Sequence, residues 1–322
     1  MCLSNEEKKG KMKYLTKEWL IQYKLSYTNR LVRKSKKAEK TDERFYNTLL
    51  QKHLSRFIEL EKSSEIFSDP QKDMERVEKY VNEEGISELE RQSRKHFQAV
   101  FNEERKTLIE LGAPFVFDEK AAERRFWETT RQEIELMQNL PPYILSKIAD
   151  IRVFVFGYAS AEVKKLLNPY CAELKHKCSE AERQAERETR KAQKFLTIET
   201  DINTLGDTFL TDIEFQNGDI YLVFDDGDKL LIKDGEIVER EEEKLYIMNC
   251  YLPDSGYSLL HAAELYHIDG KFEVHFLMEN RNEFDTCKIW YLTIRGTDIQ
   301  EILTPLSLSI RESLEKFKEN EK

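Results

Sequence analysis

The chain holds six histidines, and three of them, His261, His267 and His275, fall in "LHAAELYHIDGKFEVHFLMEN" (260–280) together with Glu264, Asp269 and Glu273. Imidazoles and carboxylates at this density can ligate a metal, move protons or pair as ions, and the direction each side chain faces decides which. Asp269-Gly270 is a dipeptide suited to a two-residue hairpin turn. With that turn, the cross-strand pairs Ile268/Lys271, Tyr266/Glu273 and Glu264/His275 share one face, and His267/Phe272, Leu265/Val274 and Ala263/Phe276 share the other. His267 and His275 then stand on opposite faces, and His261, on the face of His267, lies roughly 20 Å further along an extended strand. Zinc requires donors about 2.0–2.3 Å away. No metal site is expected from this segment.

Glu264 opposite His275, with Tyr266 opposite Glu273 beside them, is the one arrangement suited to acid–base chemistry, because a carboxylate orients an imidazole and raises its pKa. The plainer expectation is a solvent-facing cross-strand ion pair worth about 0.2–1 kcal/mol. Nothing nearby reads as a nucleophile, so no catalytic residue is assigned. Glu264, Tyr266, Glu273 and His275 are instead expected to form a binding face, with a hydrolase using the Glu/His pair as the alternative.

Other constellations carry less. "ELKH" (173–176) is an isolated Glu-x-x-His, whereas a di-metal bundle needs two such motifs. The chain has no HExxH, Walker A, GxSxG or GxGxxG pattern, and no cofactor is expected. The basic run "LVRKSKKAEK" (31–40) has the charge to meet phosphate, but acidic "DERFYN" follows at once, and a solvated helix face is expected there.

The elements that must position these residues divide in two. From about 14 to 196 the apolar spacing is helical. Asp42 caps a stripe of Phe45, Leu49, Leu50, Leu54, Phe57 and Ile58; Asp69-Pro70 starts a helix that Gly85 ends; "SELE" (87–90) opens one running to Gly112; Asp118 caps one through Met137. Helix starts are also expected at Ser160 and at Asn168-Pro169, followed by a seam of Cys171, Leu174, Cys178, Ala181, Ala185, Ala192 and Phe195 suited to close antiparallel helix packing. Beyond 200 the period shortens to two, broken by the hairpin signals "NG", "DDG" and "DG". Across Asn217-Gly218, Phe215 is expected to face Ile220, and Ile213 to face Leu222. A last helix is expected from Pro305.

Charge divides the chain at the same place. Residues 1–200 hold 39 Lys+Arg against 34 Asp+Glu, and residues 201–300 hold 8 against 22, within a net charge of -10. The reading is an α+β protein with a helical domain over 1–198 and an antiparallel β domain with a terminal helix over 199–322. Such an acidic β half attracts basic protein surfaces and repels nucleic acid and anionic lipid. Five cysteines without a C-x-x-C pair, and no apolar stretch of membrane-spanning length, place the protein in the cytoplasm as an expectation.

Four stretches, "MKYLTKEWL" (12–20), "ILSKIADIRVFVFGYASAEVKKLL" (144–167), "AELYHIDGKFEVHFLMEN" (263–280) and "LTIRGTDI" (292–299), together resemble an uncharacterised family of Gram-positive bacteria, domain-of-unknown-function family 4085. The resemblance implies a cytosolic bacterial protein with helical N-terminal and β C-terminal parts, and no activity or catalytic residue. It also implies a start at Met12, with 1–11 a dispensable extension. The acidic β part is similar in style to small β-rich immunity proteins that neutralise toxins, an analogy of fold pattern alone. The leading expectation is therefore a non-enzymatic binding or regulatory protein, immunity-like, with a basic macromolecular partner and no assigned oligomeric state.

Overall fold

Asp42, Asp69, Asp118 and Ser160 each accept a hydrogen bond from a backbone N–H in the first turn of the helix that follows. These caps satisfy donors that a helix start leaves free. They open α3 (Glu43–Lys62), α4 (Pro70–Val81), α6 (Glu119–Met137) and α9 (Ala161–Gln193) in a computed structural model that describes residues 12–63, 68–83, 85, 88–197, 208–240, 257–281, 288–304 and 307. The remaining helices are α1 (Lys17–Ser26), α2 (Thr28–Leu31), α5 (Glu88–Glu110), α7 (Pro142–Leu145) and α8 (Ile151–Val155). The helix expected from Pro305 lies outside the described residues.

Two expectations in this half are corrected. Asn168-Pro169 starts no new helix: α9 runs through Pro169 for 33 residues, because Leu167, Cys171 and Leu174 on either side are buried in one cluster with Ile144, Phe154 and Val163. The basic run 31–40 is solvated but is not a helix face. Val32 is buried, Arg33 and Lys34 form strand β1 (Arg33–Lys34) parallel to β2 (Tyr158–Ala159), and a 3-10 turn, Lys36–Glu39, follows.

The β half is one antiparallel sheet in the order β10-β5-β4-β3-β7-β8-β9-β6, from β3 (Phe209–Gln216), β4 (Asp219–Phe224), β5 (Lys229–Lys233), β6 (Glu236–Arg240), β7 (Tyr257–Ile268), β8 (Lys271–Arg281), β9 (Lys288–Gly296) and β10 (Asp298–Ile302). Both hairpin registers follow the turn residues. Phe215 pairs with Ile220 and Ile213 with Leu222, while Glu264 pairs with His275 and Tyr266 with Glu273. Asn217 and Asp269 have φ of 53° and 52°, each followed by a positive-φ glycine, as such turns require.

Asp234-Gly235 does not make a hairpin. β5 leads into β6, which pairs with β9, and β9 leads through Thr297 into β10, which pairs with β5. Each end of the strand order is thus joined to the other end by a step of one or two residues, and the sheet rolls up. Gly296 permits this closure, since a Cβ there would lie 2.6 Å from the Lys233 carbonyl oxygen. Inside the roll, Ile220, Leu222, Leu230, Ile232, Leu265, Val274, Phe276, Leu292 and Ile294 form the main core.

Helix α9 crosses from one half to the other. Among the described residues, β3 pairs with β7 only at Phe209/Leu259 and Leu210/Ser258, which leaves the rest of that β7 edge to be covered. The Leu265 N–H donates to Thr189 Oγ1 at 3.3 Å, with Ala185 and Ala192 a turn away on either side. The small residues of the seam thus bring α9 against a strand edge as well as against α1. One buried cluster joins Met12, Leu15 and Leu20, Ala185 of α9, and Ala262 and Leu277 of the sheet.

Leu277→Ala is expected to cost about 2–5 kcal/mol. Because the cluster spans both halves, denaturation followed by far-UV dichroism and by tryptophan fluorescence should shift to the same lower midpoint. A shift in one signal alone would show two independent cores.

Candidate functional site

The turn register places Glu264, Tyr266, Glu273 and His275 side by side on the outer face of β7 and β8, and residues 13–15 lie against Glu264 and Tyr266. The expected solvent-facing pair is therefore corrected: these residues are 1, 5, 2 and 3 % exposed. Glu264 Oε1 accepts the N–H of Tyr14 at 2.9 Å and of Leu15 at 2.6 Å; Oε2 accepts the N–H of Lys13 at 2.9 Å and the Tyr266 hydroxyl. Three consecutive amides thus converge on one carboxylate. Hydrogen bonds to a charged acceptor contribute about 1.5–3 kcal/mol each, and here they offset the cost of burying the charge.

The sequence around these amides makes the convergence possible. Met12 and Leu15 are buried in the cluster shared with Ala262 and Leu277, which pins both ends of the segment. Lys13 Nζ lies 4.6 Å from the centre of the Tyr266 ring. Thr16 then caps α1 by accepting from the Trp19 N–H at 3.3 Å, and the Lys17 N–H donates to the Tyr291 hydroxyl at 2.8 Å.

Glu273 anchors the adjoining network. Its Oε1 accepts from Arg295 Nε at 2.8 Å and from the Arg295 terminal nitrogen, and its Oε2 meets His275 Nε2 at 3.2 Å. His275 Nδ1 faces the Thr293 hydroxyl at 3.4 Å, and the Tyr266 ring stands edge-on to the imidazole at 5.0 Å. The hydrogen bond from His275, reinforced by Arg295, outweighs burial and lowers the Glu273 carboxyl from 4.5 to about 2. Burial first, then the neighbouring Glu264 charge, pushes the Tyr266 hydroxyl upward, so it stays protonated and donates.

The three histidines of the segment remain apart, in a different arrangement from the one expected. A bulge between Leu260 and Ala262 turns His261 to the face of Glu264, where Nε2 contacts Glu279, itself paired with Lys24 of α1 at 3.3 Å. His267 is on the other face, stacked on Phe195 at 4.3 Å and tilted against Phe272 at 4.9 Å. Among the described residues no group of three or more His, Cys, Asp or Glu side chains is placed to hold a metal ion.

Sequence reasoning missed Arg295, Thr293 and Tyr291, although strict alternation along "YLTIRG" puts all three on one face of β9. It also missed the donors at 13–15, which are backbone groups and carry no side-chain signature. Chemically the network is a holding device. Both oxygens of Glu264 and of Glu273 are met by donors of the chain itself, and residues 13–15 close the approach to Glu264. Comparison with protein-family models, with curated proteins and with solved structures returned no match.

Glu264→Gln replaces an acceptor oxygen by an amide donor facing backbone donors, and should lower unfolding free energy by at least about 1–3 kcal/mol. Chemical denaturation checks this; an unchanged midpoint would mean that the carboxylate holds nothing. The pH dependence has a definite sign. The folded Glu273 carboxyl is depressed, so its contribution is complete above the ordinary value of 4.5 and is lost as pH falls toward about 2. Stability measured across that window should fall more steeply for the parent chain than for Glu273→Gln. Parallel curves would contradict the assignment.

Proposed function

We propose that this protein acts by binding another macromolecule in the cytoplasm, not by catalysis, and that its acidic β half meets a basic protein surface. The supporting observation is the inward commitment of the Glu264 and Glu273 network. A general base must reach the proton it removes, and these carboxylates and His275 are buried and engaged with the chain's own donors. This favours the binding reading over a hydrolase built on the Glu/His pair.

It also moves the proposed contact surface. While Glu264, Tyr266, Glu273 and His275 are buried, a partner meets the ends of the rolled sheet instead, where Asp225, Asp226, Asp234, Glu236 and Asp269 are exposed. Partial desolvation raises the Asp226 carboxyl against the Asp228 N–H bond that lowers it, and the charges of Asp228 and Asp225 add a smaller rise, as neighbours in a negative field do. Such a field speeds encounter with cationic surfaces and is screened by salt. Among the described residues no helix is long and apolar enough to cross a membrane. Cys171 and Cys178 are free thiols, in keeping with a reducing compartment.

Capture with the full chain as bait, at low and high salt, tests this reading beside a variant carrying Asp225→Asn, Asp226→Asn and Glu236→Gln. A basic protein held by the parent at low salt should be released by high salt and lost with the variant. Retention indifferent to both changes would refute the electrostatic reading. A hydrolytic turnover abolished by His275→Asn in a folded chain would restore the enzyme.

A further inference from the structure

A cleft of about 390 Å³ opens in the helical half, lined by none of the residues of the sheet network. Its floor is apolar, with Val32, Met137, Phe154 and Phe156 all buried. One wall is α3, which presents Lys52 and Arg56 one turn apart, with His53 between them stacked on Phe156 at 4.8 Å. The lining also includes Arg33, whose backbone is fixed by the β1–β2 bridge and by its N–H bond to the Gly157 carbonyl at 2.7 Å. Gly157 has φ +86°, and a Cβ there would lie 3.1 Å from the Leu31 carbonyl oxygen, so glycine permits this close approach. Arg33 of the basic run 31–40 thereby lines the same cleft as two cations from α3.

Among the described residues, the cations of this cleft are not taken up by carboxylates of the chain itself, unlike several on neighbouring helices. On α6 and α9, Arg131, Lys177, Arg183, Arg190 and Lys191 each pair with a carboxylate three or four residues away. The side chains of Arg33, Lys52 and Arg56 form no ion pair or hydrogen bond with any described residue. A single carboxylate, Glu133, also lines the cleft. The surplus is about two positive charges around an apolar floor, in a protein whose net charge is -10.

We propose that this cleft binds a small phosphate ester carrying a flat ring, its phosphate between Arg33, Lys52 and Arg56 and its ring on the apolar floor beside His53. A phosphate monoester dianion matches the surplus, and guanidinium groups recognise its oxygens through paired donors. The volume lies within the roughly 300–1,000 Å³ of small-ligand sites. An extended nucleic acid is disfavoured, since the β half is strongly acidic, with 8 Lys+Arg against 22 Asp+Glu over 201–300. His53 reports occupancy: burial first, then the charges of Lys52 and Arg56, lower its pKa, and a bound anion counteracts those charges.

Calorimetric titration of the full chain with adenosine 5′-monophosphate, adenosine and inorganic phosphate tests the proposal, with NMR of the His53 ring as a second readout. The nucleotide should bind saturably, and at least about tenfold more tightly than either fragment. The Lys52→Gln/Arg56→Gln chain, both changes being at exposed positions, should keep its circular dichroism and lose at least about tenfold in nucleotide affinity. The His53 titration should move to higher pH when nucleotide is added. Absence of heat and of any His53 response at millimolar nucleotide overturns the proposal, and so does unchanged affinity in the double variant. A single-stranded oligonucleotide that displaces the nucleotide at lower concentration would make the patch a nucleic-acid surface and would overturn it equally.

Discussion

One buried carboxylate organises much of this molecule. Glu264 sits in the middle of a strand, on a face from which water is excluded, and a charge in that position is tolerated only when donors surround it. The donors come from Tyr266 and from three amides some 250 positions earlier in the chain. Satisfying the charge therefore dictates where the N-terminal segment lies. Met12 and Leu15 then cover Ala262 and Leu277, Thr16 starts α1, and α1 packs along α9, whose small residues cover the free part of the β7 edge. Removing the charge relaxes a constraint to which each of these contacts is tied.

The rolled sheet supplies the rigid surface against which this happens. Its inner face is largely apolar, while its outer face over β7, β8 and β9 carries three buried acids, Glu264, Glu273 and Glu279, each met by a different group. Glu264 takes backbone amides, Glu273 takes His275 and Arg295, and Glu279 takes His261 and Lys24. Two of these three acids bond directly to residues 12–26, so the outer face reads as a docking surface that the chain itself occupies. The binding proposed above falls on the acidic rim of the roll and on the cationic cleft of the helical half, surfaces of opposite sign on one molecule.

Local signals in the sequence were legible where the physics is local. Caps at Asp42, Asp69, Asp118 and Ser160 marked helix starts, and Asn217-Gly218 and Asp269-Gly270 set two hairpin registers to the residue. Alternation and turn chemistry thereby identified which four side chains share a face. They did not identify what covers that face, because the cover is held by backbone amides and lies far away in sequence. The same limit explains Asp234-Gly235, where Asp234 has a positive φ but Gly235 does not, and the flanking strands pair elsewhere, with β10 and β9. His261 was placed on the wrong face because alternation carries no mark of a bulge at Leu260/Ala262. Pro169 reads as a break in a local reading, and only the cluster buried on both sides of it keeps the helix continuous.

The central claim is that the Glu264 carboxylate holds residues 13–15 to the sheet in the native state. Native-state hydrogen exchange of the Lys13, Tyr14 and Leu15 amides measures this directly. These three amides should be protected together, with opening free energies close to those of the β7–β8 ladder around Glu264. Free exchange of the three, while the amides of the β7–β8 ladder stay protected, would contradict the account.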